Sequence, residues 1–252
     1  MQHRSILFLI LTCLVFAPVT PVLAKDEPLE FGYIELPPFG YTNGDGRIDG
    51  YLAEVAKVVF ERMELPVRFR ELPASRLYHQ IATGDTAMTL GPAGLHQLAD
   101  HAYESGEPAI TLTLSVYRRT DAEPVSSIEE LRGKRVILMQ GYSYGRLAGF
   151  FETAADSMDL KRARTHASAL NMLLYERGDY LLSYQVPVEN VMAEHGLSGL
   201  EADVIGQVPI HYFVSHEIDS GQKLVDQWDY HLTVIQESNE LPRLSEFVDA
   251  AD

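Results

Sequence analysis

The chain has 252 residues, with 20 Lys and Arg against 36 Asp and Glu, a formal net charge of −16 at pH 7. That balance excludes nucleic acid as a partner, since its phosphates demand Lys and Arg, and it excludes docking on anionic lipid. The acidity reads as a solubility device, suited to salty surroundings, rather than as recognition of a cationic partner.

His3 and Arg4 precede an unbroken apolar run from Ile6 to Ala17, and Val22-Leu23-Ala24 supplies small side chains for a signal-peptidase cut. The run is about 12 residues long, short of the ~20 needed to span a bilayer. Residues 1–24 are therefore expected to be a cleaved secretory signal, with the mature chain starting at Lys25. With Arg4 removed, 19 basic against 36 acidic residues leave a net charge of −17. The only cysteine, Cys13, falls inside the signal. The exported chain then has neither disulfide nor thiolate chemistry, and it must rely on packing. Thr12 is bulky for the position before a lipidated cysteine, and the apolar run continues past Cys13, so lipid attachment is not expected.

Short β patterns alternate with amphipathic helices, an α/β reading. Leu29–Ile34 is expected as a first strand, followed by an extended loop at Leu36-Pro37-Pro38-Phe39 and a tight turn at Asn43-Gly44-Asp45-Gly46. Leu52, Val55, Ala56, Val59, Phe60 and Met63 recur at helical spacing. Val67–Leu72 alternates as a strand, and Ser75–Thr83 reads as a helix stopped by Gly84. Met88–Gly91 and Leu112–Tyr117 are further strands. Ser127 and Glu130 have the form of a capping box, Ser at N-cap and Glu at N3. Lys134–Met139 is a strand that runs through Gln140–Gly145 into a helix. Ser168–Glu176 is a helix expected to stop at Gly178, Tyr180–Tyr184 a strand, and Val186–His195 a helix. Ile210–Val214 is the last strand. The final helix carries Leu224, Val225, Trp228, Leu232 and Ile235 on one face.

In order and wording these pieces resemble the family 3 extracellular solute-binding proteins, the periplasmic receptors of ABC-type uptake systems. Pro37-Pro38-Phe39 with Asp45–Tyr51 is similar to the family's opening. Ser75-Arg76-Leu77 with Ile81–Gly84 is similar to its second element, and Ser105–Pro108 to the segment before the crossover. Ile128–Val136 with Gln140-Gly141 is similar to the start of the second lobe, and Val208–Ser215 with the last helix to the return to lobe one. The resemblance covers essentially the whole mature chain. It implies a type II periplasmic binding protein: two α/β lobes joined by two crossing strands, closing on a ligand in the cleft. Lobe one would comprise residues 25–112 and 206–252, and lobe two residues 113–205. It also implies a periplasmic monomer that captures a small polar solute and hands it to an inner-membrane permease, without inserting in the membrane itself.

Clefts of this kind pair aromatic walls with a few aimed polar groups. On the first loop Tyr33, Glu35 and Phe39 are candidates; Phe39 follows two prolines on a stiff loop, and a packed turn aromatic is its plainer alternative. Glu35 suits a cationic group, with a solvated loop charge as its plainer alternative. Arg76 stands at a helix start, where acids are the favoured residues, so its fork is a candidate grip for a carboxylate or phosphate, with a surface ion pair as the alternative. Gly91 and Pro92 follow a strand end, where family members offer backbone groups. Gly141–Tyr144 precedes a helix whose N–H groups favour an anion. There Tyr142 and Tyr144 would wall the cleft, and Ser143 would cap the helix or touch ligand. Tyr184 and Gln185 point to the cleft mouth.

Two departures from the family bear on the ligand. Amino-acid receptors of the family carry an arginine shortly after the strand corresponding to Met88–Gly91, which clamps the α-carboxylate. Residues 91–101 here contain none, and His96 and His101 read as surface residues. Those receptors also place an aspartate for the α-amine where Tyr184 stands. The expected ligand is therefore not a standard α-amino acid.

The sequence has no nucleophile elbow, His-Glu-x-x-His or P-loop, so no cofactor or metal is expected. Asn43–Gly50 imitates a calcium loop, but Arg47 and Ala56 fall where oxygen ligands are needed. His211, His216 and His231 lack zinc-ligand spacing. An enzyme on the same scaffold, a dehydratase using Glu35 as acid or base, is one alternative. A sensor serving a signalling partner on a separate chain is another.

Overall fold

The computed structural model describes residues 27–154, 157–238 and 240–248. The expected signal segment lies outside them. A nine-stranded sheet with helices packed on it runs through the molecule.

Apart from one turn, the first third follows the pattern read from the sequence. Strand β1 (Leu29–Tyr33) leads into a small hairpin of β2 (Tyr41–Thr42) and β3 (Ile48–Asp49). Helix α1 (Tyr51–Arg62) buries the Leu52, Val55, Ala56, Val59 and Phe60 face that its spacing predicts. Strand β4 (Val67–Glu71) pairs in parallel with β1, and helix α2 (Ala74–Thr83) ends at Gly84 in the left-handed conformation, φ 77°. Strand β5 (Met88–Pro92) lies on the other side of β1.

The chain then returns through β6 (Ala102–Glu104) to β7 (Ile110–Arg119). A single 3₁₀ turn (Ile128–Leu131) precedes β8 (Arg135–Met139), and a second (Gly145–Leu147) leads into α3 (Ala148–Ala154). Strand β9 (Asp159–Ala163), helix α4 (His166–Leu174), strand β10 (Tyr180–Tyr184) and helix α5 (Gln185–Glu194) complete the second half. Strand β11 (Leu200–Ser215) carries the chain back to α6 (Gly221–Ser238) and the short α7 (Ser245–Val248). Helix α6 closes the first half: Trp228 is fully buried and stacks on Tyr212 with centroids 4.3 Å apart, and Phe60 of α1 meets it at 5.4 Å.

The strand order is β4-β1-β5-β11-β7-β10-β8-β9, with β6 also paired to β11. The two long strands β7 and β11 connect the halves. β11 pairs with β5 over Ile210–Val214 and with β7 over Leu200–Ile210, while β7 pairs with β10 over Leu114–Arg118. A β-bulge interrupts the β7–β11 register between Val204 and Gly206, and just beyond it Gln207 and Thr113 hydrogen-bond across the strands at 3.3 Å. Further along, the nearly buried Arg118 donates through Nε to Asp203 at 2.8 Å.

Four local expectations are corrected. Leu36–Phe39 is a reverse turn rather than an extended loop. The Leu36 carbonyl accepts from Phe39 N at 2.8 Å and Gly40 N at 3.1 Å, the Pro37–Pro38 peptide is cis, and Phe39 folds back into the core at 1% exposure. The capping pair is shifted by one residue: Ser126 Oγ donates to Glu130 Oε1 at 2.5 Å, whereas Ser127 makes no cap bond. Helix α4 stops before Gly178, at Leu174, because Glu176 takes the left-handed conformation, φ 57°. Gly178 is instead a place of close approach, since a Cβ there would stand 2.5 Å from Ile137 Cγ1. The last strand begins at Leu200, ten residues before the apolar pattern that announces it, because its first part is the exposed crossing segment.

Candidate functional site

Two adjoining cavities lie where the first and second halves face each other, and Tyr142 lines both. The inner one, about 80 Å³, is floored by core residues of the first half such as Phe31, Leu52, Leu90 and Ile210. Its remaining wall is aromatic: Tyr33 at the end of β1, Tyr78 on α2, Tyr142 on the loop after β8, and Tyr184 at the end of β10. Strand ends supply two of these rings because successive residues on a strand alternate faces, so the last one turns toward the cleft. No side chain lining the inner cavity carries a formal charge.

The phenols are positioned by their neighbours. Tyr33 shares a 2.8 Å hydrogen bond with Thr42 Oγ1, which in turn donates to Glu71, so its hydroxyl is held at the hairpin and its ring is left to the cavity. Burial raises the Tyr33 hydroxyl above its ordinary range. Burial also raises the hydroxyls of Tyr78, Tyr142 and Tyr184, with a hydrogen bond to Ser143 partly offsetting the effect at Tyr78. All four are neutral at physiological pH. Tyr142 packs on Tyr184 with centroids 5.7 Å apart, and its hydroxyl lies 3.4 Å from His166 Nε2. Burial holds the His166 imidazole down at about 4, so it too is neutral.

The outer cavity, about 770 Å³, is where the charged and hydrogen-bonding side chains gather, among apolar neighbours such as Met139, Val191 and Phe247. The second half contributes Gln140, Arg164, His166, Asn190 and Glu194, and the first half contributes Glu35, Asp49 and Glu246. Asp49 is partly spoken for, accepting from Gly50 N at 2.7 Å, and Arg164 Nε donates to Gln140 Oε1 at 3.4 Å.

The loop from Gly141 to Arg146 lies directly against the first half. Cβ positions built on its glycines come 3.6 Å from Ala74 Cβ at Gly141 and 3.0 Å from Pro92 Cβ at Gly145, while Arg146 Nε stands 3.2 Å from the corresponding position of Gly94. The two halves therefore meet around the inner cavity.

The site residues expected from sequence are distributed unevenly. Tyr33, Phe39, Gly91, Pro92, Tyr142, Ser143 and Tyr184 line the inner cavity, and Glu35 lines the outer one. Phe39 does so from the core rather than as a projecting ring. Tyr144 lies behind the wall. It is buried, its hydroxyl accepts from Met139 N at 2.8 Å and donates to the Leu182 carbonyl at 3.1 Å, and its ring backs Tyr142 and Tyr184. Its left-handed φ of 53° turns the side chain inward. Arg76 lines neither cavity, because α2 turns Leu77 and Ile81 to the core and leaves Arg76 exposed. Gln185 also lines neither; its amide donates to Glu189 at 2.6 Å along α5. Ser143 does not cap a long helix; its Oγ reaches Gly145 N only at 3.5 Å, ahead of the 3₁₀ turn. Sequence reasoning missed Tyr78, two residues from Arg76, and the Arg164–His166 segment. The one signal for the latter was Thr165, a capping residue whose side chain accepts from Ser168 N.

The profile of the bacterial extracellular solute-binding proteins, family 3, matches residues 30–247. The chain belongs to this family. No curated relative matches the sequence. Among solved structures, a histidine kinase sensor domain with similarity to periplasmic binding proteins superposes with TM-score 0.72 at 20% identity, over 89% of this chain and 95% of that one. The GluR0 ligand-binding core in complex with L-glutamate gives 0.69 at 14%, over 90% and 98%. Holo ArgBP from T. maritima gives 0.64 at 18%, over 83% and 90%. These likenesses establish the type II periplasmic binding protein fold. The family and the fold are those of binding proteins rather than enzymes. Among the described residues no helix is long and apolar enough to cross a membrane.

Proposed function

We propose that this family 3 member is an exported receptor. In this reading it captures a small solute other than a standard α-amino acid by closure of two lobes, residues 25–112 with 206–252 and residues 113–205, and delivers it as a monomer to an inner-membrane permease. The observation that carries the reading is the inner cavity, walled from both halves and free of charged side chains. An α-amino acid is a zwitterion, and burying its carboxylate without a paired cation costs several kcal/mol. Leu95 and Leu98 fold into the core from the segment where the resemblance to amino-acid receptors would put the clamping arginine, and the same resemblance would put Tyr184 in place of the aspartate. A solute-triggered signalling role would use the same cleft; the sensor domain among the structural neighbours supports keeping it as the second reading.

The test is a thermal-shift screen over amines, carboxylates, sugars and osmolytes, followed by calorimetry against the standard α-amino acids. A solute that binds only the folded form raises the melting temperature. Micromolar heat with any α-amino acid would refute the assignment of ligand class. The receptor reading itself fails if no solute in the screen shifts the melt.

A further inference from the structure

The receptor reading leaves the solute's chemistry open, and resting on that reading the geometry points to an organic cation: a methylated ammonium or hydrophobic amine seated against the rings of Tyr33, Tyr142 and Tyr184, its charge facing Glu35. Three observations converge on this class. First, the rings of a neutral phenol offer a negative π face, which attracts a cation carried on an apolar body. Four such rings line a cavity that offers few other polar groups. A sugar there would lose the hydrogen bonds of its hydroxyls, and an anion would meet no positive charge.

Second, Glu35 stands at the junction of the two cavities. It lines the outer cavity beside Tyr142, the residue common to both, and its charge reaches the hydroxyls of Tyr142 and Tyr33. It makes no hydrogen bond or ion pair with any described residue, so a cation would supply its partner.

Third, the outer cavity is acidic. Asp49, Glu194 and Glu246 join Glu35 on its walls, four carboxylates against the single arginine Arg164. Carboxylates around a mouth raise the local concentration of cations and repel anions. The same walls leave room for a polar tail on the bound amine.

Choline and its uncharged carbon isostere, dimethylbutanol, separate charge from shape, with tetramethylammonium as a second cation. Calorimetry on the purified protein should show choline binding about tenfold or more tighter than dimethylbutanol. Glu35→Gln should weaken choline about tenfold and leave dimethylbutanol unchanged; Glu35 is exposed, and an unaltered melting curve verifies that the variant folds. Tyr142→Leu should weaken both cations, and Tyr142→Phe, which keeps the π face, should restore them. Equal affinity for choline and its isostere, or full choline affinity in Glu35→Gln, overturns the proposal. So does silence from choline, tetramethylammonium and phenethylamine alike while another solute in the wider screen binds; that outcome leaves the receptor reading standing, whereas silence across the entire screen removes both.

Discussion

Gly145 rests against Pro92: a Cβ placed on the glycine would stand 3.0 Å from the Pro92 Cβ and 3.3 Å from the Ala93 carbonyl oxygen. The two residues come from opposite halves, so the glycine sets how near the halves can come. Gly145→Ala should leave the apo protein folded, with a stability loss of about 1–2 kcal/mol from its φ of 58°. It should weaken solute capture by about tenfold, since each 1.4 kcal/mol withheld from closure is a factor of ten. Calorimetry checks this, and an affinity equal to wild type would show that the contact does not limit closure.

Arg76 supplies the converse case. It is exposed and lines neither cavity. Arg76→Ala should change stability by no more than about 0.5 kcal/mol, the usual effect of a surface substitution, and should not alter solute affinity. A clear loss of affinity would place the guanidinium in the site.

Gly50 packs where no side chain fits. Its φ is 107°, and a Cβ would approach the Phe39 carbonyl carbon and oxygen and the Pro38 oxygen at 2.7 Å each. These are backbone atoms and cannot swing away. Gly50→Ala should cost about 3 kcal/mol or more, read as a lowered denaturant midpoint. It should also disturb binding, because the Pro38-Phe39 turn adjoins both cavities.

His166 predicts an acid-side instability. Burial holds its native pKa at about 4 against an ordinary 6.5. As pH falls, the unfolded chain takes up the proton first, so this contribution is absent above pH 6.5 and grows as a destabilisation between 6.5 and 4. At its full extent it is on the order of 3 kcal/mol. Urea melts of wild type and His166→Gln at neutral pH and near the lower end of that window should show the variant losing less stability on acidification. Parallel losses in the two proteins would remove His166 as the cause.

The fold was legible where one face of an element is buried and the other wet. Helix α1 and the apolar stripe of α6 follow from spacing alone. The first part of β11 was not, because Leu200–Gln207 buries none of its residues fully and carries no alternating pattern. Turn chemistry misled at Pro37-Pro38: proline fixes local dihedral angles but does not say which way the chain reverses. Within the site, the strand-end aromatics Tyr33 and Tyr184 could be found, since a ring at the last position of a strand has few other places to go. Tyr144 and Tyr142 are two residues apart on one short loop. Only the left-handed backbone at Tyr144, which the sequence pattern does not encode, decides which ring faces the cavity. Tyr78 was overshadowed by Arg76 because charge draws attention that packing does not. The Arg164–His166 segment reaches the site through sheet order, which places β9 beside β8, and not through any local signature.

Strands β7 and β11 pair with each other at the middle of the sheet, β11 carrying β5 on its other side and β7 carrying β10, so the two ends are joined through this one pair. Melting either end alone would strip its neighbour of a paired edge and strand a row of backbone donors and acceptors. Heating should therefore give a single calorimetric peak whose van't Hoff and calorimetric enthalpies agree, with damage at one extremity of the sheet registering as a lower transition temperature for the whole.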